Sequence, residues 1–251
     1  MTSPIDIGPV SPELRDLLAP GGVMRAGINL SNFLLVTGKS PDGAPEGVSP
    51  DMARTFADLL GVELRYVTFP SPGVLADAAL EDAWDIGLIG AEPQRAEVIA
   101  FTAPYVEIEA TYLVPPGSPL KSVDDVDAEG VTIAVTGRTA YGLWLDRNIR
   151  HAQLARSANF DETQKEFRER KLDALAGLRS RLVTDQQDIP GSQILPGRFM
   201  AVQQAIGVPK AKAEALPLVS RFIDAALETG LVARLIEKHR VEGLSVVERS
   251  P

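Results

Sequence analysis

The feature that most constrains the fold of this chain is a regular alternation of strand and helix patterns between residues 23 and 90. Apolar strand patterns and amphipathic helix patterns follow one another over 23–28, 49–60, 62–69, 74–84 and 86–89. Parallel strands need a crossover connection, usually a helix. The alternation therefore predicts an α/β unit in which helices cover a parallel sheet.

A second alternating unit follows an interruption at residues 115–119, Pro-Pro-Gly-Ser-Pro, which predicts a boundary or hinge. Further elements are expected in the order strand 131–135, a helix marked by Tyr141, Trp144 and Leu145, a helix from Asp161, strand 172–178, an apolar segment 199–208, and helices 216–229 and 231–240. The sequence thus predicts two sheet-containing units.

Composition excludes several classes of function. The 251-residue chain has a net charge of -9 and a pI near 4.9, which argues against nucleic acid as a partner. Cysteine is absent, so disulfides and thiolate metal sites are excluded. His151 and His239 are far apart and lack metal-ligand spacing. We expect no metal, no cofactor and a monomer.

The first residues of the chain bear on localisation. Residues 1–9 have no basic start and no apolar run, so they do not form a secretory signal. No window approaches the roughly twenty apolar residues of a membrane span. If Met1 is the native start, the sequence predicts a cytoplasmic protein.

Arg95 is the leading candidate for a binding residue. The buried strand pattern 86–89 ends at Gly90, and a turn opened by Pro93 brings Arg95 to the mouth of the predicted sheet. The planar guanidinium can hold a carboxylate in two parallel hydrogen bonds. The alternative is a solvated surface arginine paired with Glu92 or Glu97.

The motifs around Arg95 resemble a known family. The chain has, in order, a strand of the DWDIGLIG type that reads AWDIGLIG here, a turn ending in Pro-x-Arg, FTAPY and the strand ATYLVPPGSPL. This order is similar to type II periplasmic solute-binding proteins, family 3, the amino-acid and polar-solute branch of ABC transporter substrate-binding proteins. The resemblance spans about residues 22 to 241. It implies a two-lobed α/β fold, each lobe a central mixed sheet flanked by helices, that closes around a ligand in a cleft. Lobe 1 would comprise 1–113 and 203–251, and lobe 2 would comprise 114–202.

The resemblance also implies roles for individual residues. Arg95 would clamp the carboxylate of the ligand. Thr139, in the turn Gly137-Arg138-Thr139, would complete the carboxylate's cage from lobe 2, with Arg138 where the family often has serine. The alternatives are that Thr139 only caps a helix and that Arg138 points into solvent.

Departures from the family pattern concern the ligand's ammonium group. Asn29 and the Leu178-Arg179 pair stand where amino-acid binders have carboxylates. A desolvated ammonium without an anionic partner costs several kcal/mol. We therefore expect a small anionic organic solute and not a standard α-amino acid.

Further polar residues would surround that solute. Asn32, on the polar exit after the first strand, and Gly90 would line the cleft beside Arg95. Arg179 would face the ligand or form a salt bridge with Glu92 or Asp185, the two acids that could offset the positive charge.

Two functions from different classes follow from this pattern. The first is a binding protein that serves ABC-type uptake or sensing, with the membrane component of a transporter as partner and a periplasmic location by resemblance. The second is an enzyme similar to cyclohexadienyl dehydratase, which needs a general acid in the cleft. The second-lobe position expected to hold that acid is apolar or basic here, and Glu92 is the only nearby substitute. The sequence therefore favours binding without catalysis.

Overall fold

The computed structural model describes residues 5–247 and forms two compact units. The first comprises Met1–Glu107 and Gln203–Pro251, and the second comprises Ile108–Val202. Both contain helices packed on strands, which confirms the predicted α/β class.

The first unit holds most of the chain. Its strands are β1 (Val23–Asn29), β2 (Gly38–Lys39), β3 (Pro45–Glu46), β4 (Glu63–Phe69), β5 (Ile86–Gly90), β6 (Ile99–Phe101) and β13 (Ser245–Val246). Its helices are α1 (Pro12–Leu18), α2 (Val48–Leu60), α3 (Pro72–Asp77), α7 (Leu216–Glu228) and α8 (Leu231–Lys238). β7 (Val106–Val114) and β12 (Met200–Pro209) each begin in one unit and end in the other.

The sheet of the first unit has a parallel centre. β1 pairs in parallel with β4, from Val23 opposite Glu63 to Asn29 opposite Phe69, and with β5, where Gly27 lies opposite Gly87. The return strand β12 pairs antiparallel with β5 and β6. The carboxyl ends of β1 and β5 therefore meet at one edge of the sheet, as predicted.

The helix predicted over 74–84 is wrong in its second half because Trp84 is buried against the sheet. α3 ends at Asp77, a 3-10 turn follows over Ala78–Glu81, and Trp84 lies outside any helix. Its indole is fully buried, and its Nε1 donates to the carbonyl oxygen of Leu75 at 3.0 Å. A Cβ atom on Gly27 or Gly87 would lie 3.1 or 3.0 Å from the indole, so the two glycines make room for it.

The core of the first unit packs α2, α7 and α8 around the sheet. Phe56 of α2 stacks on Phe222 of α7 with ring centroids 4.8 Å apart, and both are fully buried. Burying a phenylalanine side chain contributes about 1.5–3 kcal/mol. The apolar residues that recur at helical spacing in the sequence of α2 form the side of that helix that packs in this core.

The second unit is a separate α/β assembly. After β7 its elements are β8 (Thr132–Thr136), α4 (Ala140–Asn148), β9 (Gln153–Ser157), α5 (Phe160–Glu169), β10 (Ala174–Leu178), α6 (Arg179–Gln187) and β11 (Gln193–Ile194). β8 pairs in parallel with β9 and β10, while β10 and β11 pair antiparallel with β7. The helix α6 is absent from the sequence-based prediction because its apolar face is weak.

The first boundary between the units lies before the proline cluster at 115–119. β7 continues to pair through Val114, so the chain leaves the first unit inside a strand. The assignment of 1–113 with 203–251 and of 114–202 as the two lobes of a ligand cleft stays a prediction. Within residues 5–247, no helix combines the length and apolar character that a membrane span requires.

Candidate functional site

The edge formed by β1 and β5 brings together four of the predicted site residues of the first unit. Asn29 and Gly90 are the last residues of their strands, Asn32 follows in the next turn, and Arg95 begins a 3-10 turn over Arg95–Glu97. Adjacent strands lie about 4.8 Å apart. Because β1 and β5 are neighbouring parallel strands, the residues that end or follow them lie close together at this edge of the sheet.

Arg95 is buried, with 4% of its surface exposed, so it is not a solvated surface arginine. Its Nη1 donates to the carbonyl oxygen of Gly90 at 2.7 Å. Because the guanidinium is planar, one fixed nitrogen limits the directions of its other N–H groups. The end of β5 thus orients the side chain that the family resemblance assigns to a carboxylate.

Glu92 lies in the turn between Gly90 and Arg95 and is also buried, at 5% exposure. Its carbonyl oxygen accepts the N–H of Ala96 at 2.9 Å, and Ala91 donates to the carbonyl oxygen of Gln203 at 2.8 Å. These backbone bonds hold the turn against β12. The carboxylate of Glu92 is therefore placed on the same short segment as the guanidinium of Arg95.

Asn29 and Asn32 differ in how their side-chain amides are bonded. The Oδ1 atom of Asn29 accepts from the N–H of Ser31 at 3.1 Å and from its hydroxyl at 2.8 Å. Asn32 is 8% exposed, and its Oδ1 is buried and lacks a hydrogen-bond partner within residues 5–247. The sequence predicts both as binding residues but does not show how their amides are oriented.

In the second unit, Thr139 is the N-cap of α4. Its hydroxyl accepts the N–H of Gly142 at 3.0 Å and donates to the carbonyl oxygen of Thr136 at 2.8 Å. Thr139 is 5% exposed. The helix-capping alternative for this residue is therefore realised, and the cap fixes the turn that precedes α4.

Arg138 precedes that cap with a left-handed backbone, φ 61°, and an exposed side chain. A non-glycine residue rarely adopts this conformation. Nearby, burial raises the pKa of the Tyr141 hydroxyl to about 12, although hydrogen bonds with Thr136 and Thr139 act in the opposite direction. Tyr141 therefore stays neutral at physiological pH.

Arg179 is the first residue of α6, directly after β10. Its Nε donates to Oε2 of Glu109 at 2.8 Å, and its Nη2 donates to the carbonyl oxygen of Gly197. The predicted salt bridges of Arg179 with Glu92 or Asp185 are wrong, because β7 brings Glu109 beside β10. Sequence reasoning missed Glu109, which lies 70 positions away in the chain.

Asp185 pairs with Arg181, a second residue that sequence reasoning missed. Arg181 donates from Nε to Asp185 at 2.8 Å and from Nη2 to Asp161 at 2.9 Å. Burial raises the pKa of Asp185, while the hydrogen bond and charge of Arg181 act to lower it. The four-residue spacing of Arg181 and Asp185 on a helix was the available signal.

Comparison with known proteins identifies the class to which this fold and these residues belong. The family described as bacterial extracellular solute-binding proteins, family 3, matches residues 32–242. The chain belongs to this family of solute-binding proteins.

Solved structures show the same fold at low identity. A mutant of ArgBP from T. maritima has a TM-score of 0.71 and 22% identity, covering 91% of this chain and 100% of that one. An ancestral amino acid-binding protein described as a precursor of cyclohexadienyl dehydratase has a TM-score of 0.71 and 20% identity, covering 91% and 99%. An amino acid ABC transporter substrate-binding protein from Streptococcus pneumoniae, bound to L-arginine, has a TM-score of 0.70 and 21% identity, covering 93% and 99%.

A curated relative is larger than this chain. The membrane-bound lytic murein transglycosylase F of Aeromonas hydrophila subsp. hydrophila is 24% identical over 207 residues, which cover 79% of this chain and 41% of the relative. The chain thus matches less than half the length of that protein.

Proposed function

We propose that this protein binds a small carboxylate-bearing solute through Arg95 and serves ABC-type uptake or sensing without converting the solute. The observation that carries the proposal is the buried guanidinium of Arg95, oriented by the carbonyl oxygen of Gly90 at 2.7 Å. A buried cation gains most from an anionic partner that forms charge-assisted hydrogen bonds.

The residues at the two matched positions argue against a standard α-amino acid. Asn29 is neutral, and Leu178, 8% exposed, is apolar. Amino-acid binders resembling this chain have carboxylates at both positions. An ammonium group placed there would be desolvated without a counter-charge, which costs several kcal/mol.

Binding without catalysis fits the same residues. A dehydratase needs an acid that is held protonated near the substrate. Leu178 cannot supply a proton, although it stands at the second-unit position where such an acid is expected, and only Glu92, on the turn of Arg95, could take that role. The proposed partners are the solute and the membrane component of an ABC transporter. We propose that the protein acts outside the cytoplasm as a monomer.

Isothermal titration calorimetry of Arg95 variants tests the proposal. The ligand would be the carboxylate that raises the melting temperature most in a screen of carboxylic acids. Arg95→Ala should weaken binding by about 2–5 kcal/mol. Arg65→Ala, which removes an exposed arginine of β4 in the same unit, is the matched control.

Arg95→Lys separates charge from geometry, because lysine keeps the charge but loses the two-pronged hydrogen bond. It should bind more weakly than the parent and more tightly than Arg95→Ala. An Arg95→Ala protein that remains folded by circular dichroism and binds within about twofold of the parent would refute the proposal.

A further inference from the structure

The turn after β1 fixes the orientation of the Asn29 amide. The backbone N–H of Ser31 can only donate, so the side-chain atom that it meets at 3.1 Å is an oxygen. The hydroxyl of Ser31 donates to the same oxygen at 2.8 Å. The NH₂ group of Asn29 consequently points away from Ser31, and it has no hydrogen-bond partner in residues 5–247.

Amino-acid binders that resemble this chain have a hydrogen-bond acceptor, a carboxylate, at the position of Asn29. The oriented amide of Asn29 presents donors there instead. A carboxylate there would accept hydrogen bonds from an ammonium group, whereas Asn29 offers two N–H donors. An ammonium has donors only and would meet donors. A ligand atom beside Asn29 must therefore be an acceptor.

Asn32 supplies the complementary group one turn later. Its backbone N–H donates to the carbonyl oxygen of Asn29 at 3.4 Å, which keeps the two residues together. The buried Oδ1 of Asn32 receives no donor from the part of the chain that is described. Buried polar atoms without partners are rare in folded proteins, and each such atom calls for a donor.

The two asparagines share an edge with Arg95. Ile28 at the end of β1 lies opposite Leu88 of β5, so Asn29 and Gly90 close neighbouring strands. Gly90 in turn anchors Nη1 of Arg95. If a solute's carboxylate meets Arg95, the turn 29–32 at the same sheet edge is the place for an adjoining substituent.

We propose that this substituent is a hydroxyl group, so that the solute is a hydroxycarboxylate. The inference rests on the proposed carboxylate binding at Arg95. A hydroxyl accepts from Nδ2 of Asn29 and donates to Oδ1 of Asn32, whereas a keto oxygen or a second carboxylate only accepts and a methylene does neither. Ser31 is a positioning residue, since it acts through Asn29.

Matched acids that differ in one substituent test the inference. Calorimetry would compare hydroxy, deoxy, keto and amino members of three skeletons: lactate, propionate, pyruvate and alanine; malate, succinate, oxaloacetate and aspartate; and phenyllactate, phenylpropionate, phenylpyruvate and phenylalanine. In at least one skeleton the hydroxy acid should bind at least tenfold more tightly than the other three members.

Variants of the turn give a second readout. Asn29→Asp restores a carboxylate and should reverse the preference from the hydroxy acid to the amino acid of the same skeleton. Ser31→Ala removes the hydroxyl and leaves the backbone N–H as the one remaining donor from this residue to Oδ1 of Asn29, so the advantage of the hydroxy acid should shrink without disappearing, while the Kd of the deoxy acid stays unchanged. Asn148→Asp, an exposed change in the second unit, is the control and should alter neither.

The outcomes separate this inference from the proposed function. Equal binding of hydroxy and deoxy acids that still depends on Arg95 overturns the hydroxyl inference and leaves carboxylate binding intact. An unchanged preference in Asn29→Asp also overturns it. If no acid of any skeleton binds to the parent protein, both proposals are rejected.

Discussion

The Nε atom of Arg179 lies 2.8 Å from Oε2 of Glu109, so the charge of this arginine is compensated inside the second unit. The sequence predicts that Arg179 faces the ligand or forms a salt bridge with Glu92 or Asp185. The structure gives the two arginines different environments. The side chain of Arg179 is 34% exposed and pairs with a carboxylate. Arg95 as a whole residue is 4% exposed, and its Nη1 donates to the carbonyl oxygen of Gly90.

The first prediction concerns this pair. Arg179→Met should lower the free energy of unfolding by about 1 kcal/mol or less, because partly exposed ion pairs contribute little. It should also change the Kd for the best carboxylate by less than about threefold, in contrast to Arg95→Ala. Urea denaturation and calorimetry measure the two effects, with Arg170→Met, at the exposed C-cap that follows α5, as the control. A loss of binding as large as that of Arg95→Ala would place Arg179 at the ligand.

The second prediction concerns a buried ion cluster in the first unit. Asp85 is fully buried and accepts from Arg25 through the backbone N–H at 2.7 Å, Nε at 3.0 Å and Nη2 at 2.8 Å, and it also pairs with Lys212. Lys212 reaches the more exposed Asp82 at 2.9 Å. Removing one partner of a buried pair leaves an uncompensated charge.

Asp85→Asn should therefore destabilise the first unit by about 3–5 kcal/mol. Asp82→Asn, at the exposed end of the same cluster, should cost about 1 kcal/mol or less. Urea denaturation followed by the fluorescence of the neighbouring Trp84, in a Trp144→Phe background, would measure both. Equal effects of the two substitutions would show that the cluster does not depend on the buried carboxylate.

The third prediction is a pH dependence of the second unit. The carboxylate of Asp127 accepts the backbone N–H groups of Arg150, His151 and Ala152 at 2.8–3.1 Å. Burial acts to raise the pKa of Asp127, but these three backbone hydrogen bonds and the charge of His151 together lower it below its ordinary value. Its stabilising contribution is therefore present above a pH of about 4 and is lost as the pH falls through the lowered pKa.

Asp127→Asn should lower the free energy of unfolding at pH 7 by about 1–2 kcal/mol, since charged acceptors make stronger hydrogen bonds than neutral ones. The difference between variant and parent should shrink at pH 3. Thermal unfolding followed by circular dichroism at pH 7 and pH 3 measures this difference. The control is Asp58→Asn, at an exposed position of α2. A difference that grows as the pH falls would contradict the assigned sign.

The sequence predicted the fold better than it predicted the site. The alternation of strands and helices in the first unit is dictated by local periodicity, and the positions of Asn29, Gly90 and Arg95 at one sheet edge follow from it. The helix over 74–84 was predicted too long because its spacing cannot reveal that Trp84 packs on Gly27 and Gly87 across two strands.

The electrostatic environment of the site depends on contacts that are distant in sequence. The pairing of Arg179 with Glu109 depends on the register of β7 against β10, which a single sequence does not specify. The orientation of the Asn29 amide depends, by contrast, on a local turn whose donors come from Ser31 two residues later, and strand or helix periodicity does not specify that turn. Residue types were therefore predictable at these places, whereas their partners were not.

The central claim is that the protein selects a carboxylate lacking an α-amino group through Arg95, and a thermal-shift screen tests it most directly. A ligand at a hundred times its Kd stabilises the folded state by about 2.7 kcal/mol, a shift of about 5 °C or more for a chain of this size. The account predicts that one or more hydroxy or deaminated carboxylates raise the melting temperature of the parent, that the standard amino acids do not, and that Arg95→Ala abolishes the shift. A shift produced by amino acids and by none of their deaminated analogues would contradict it.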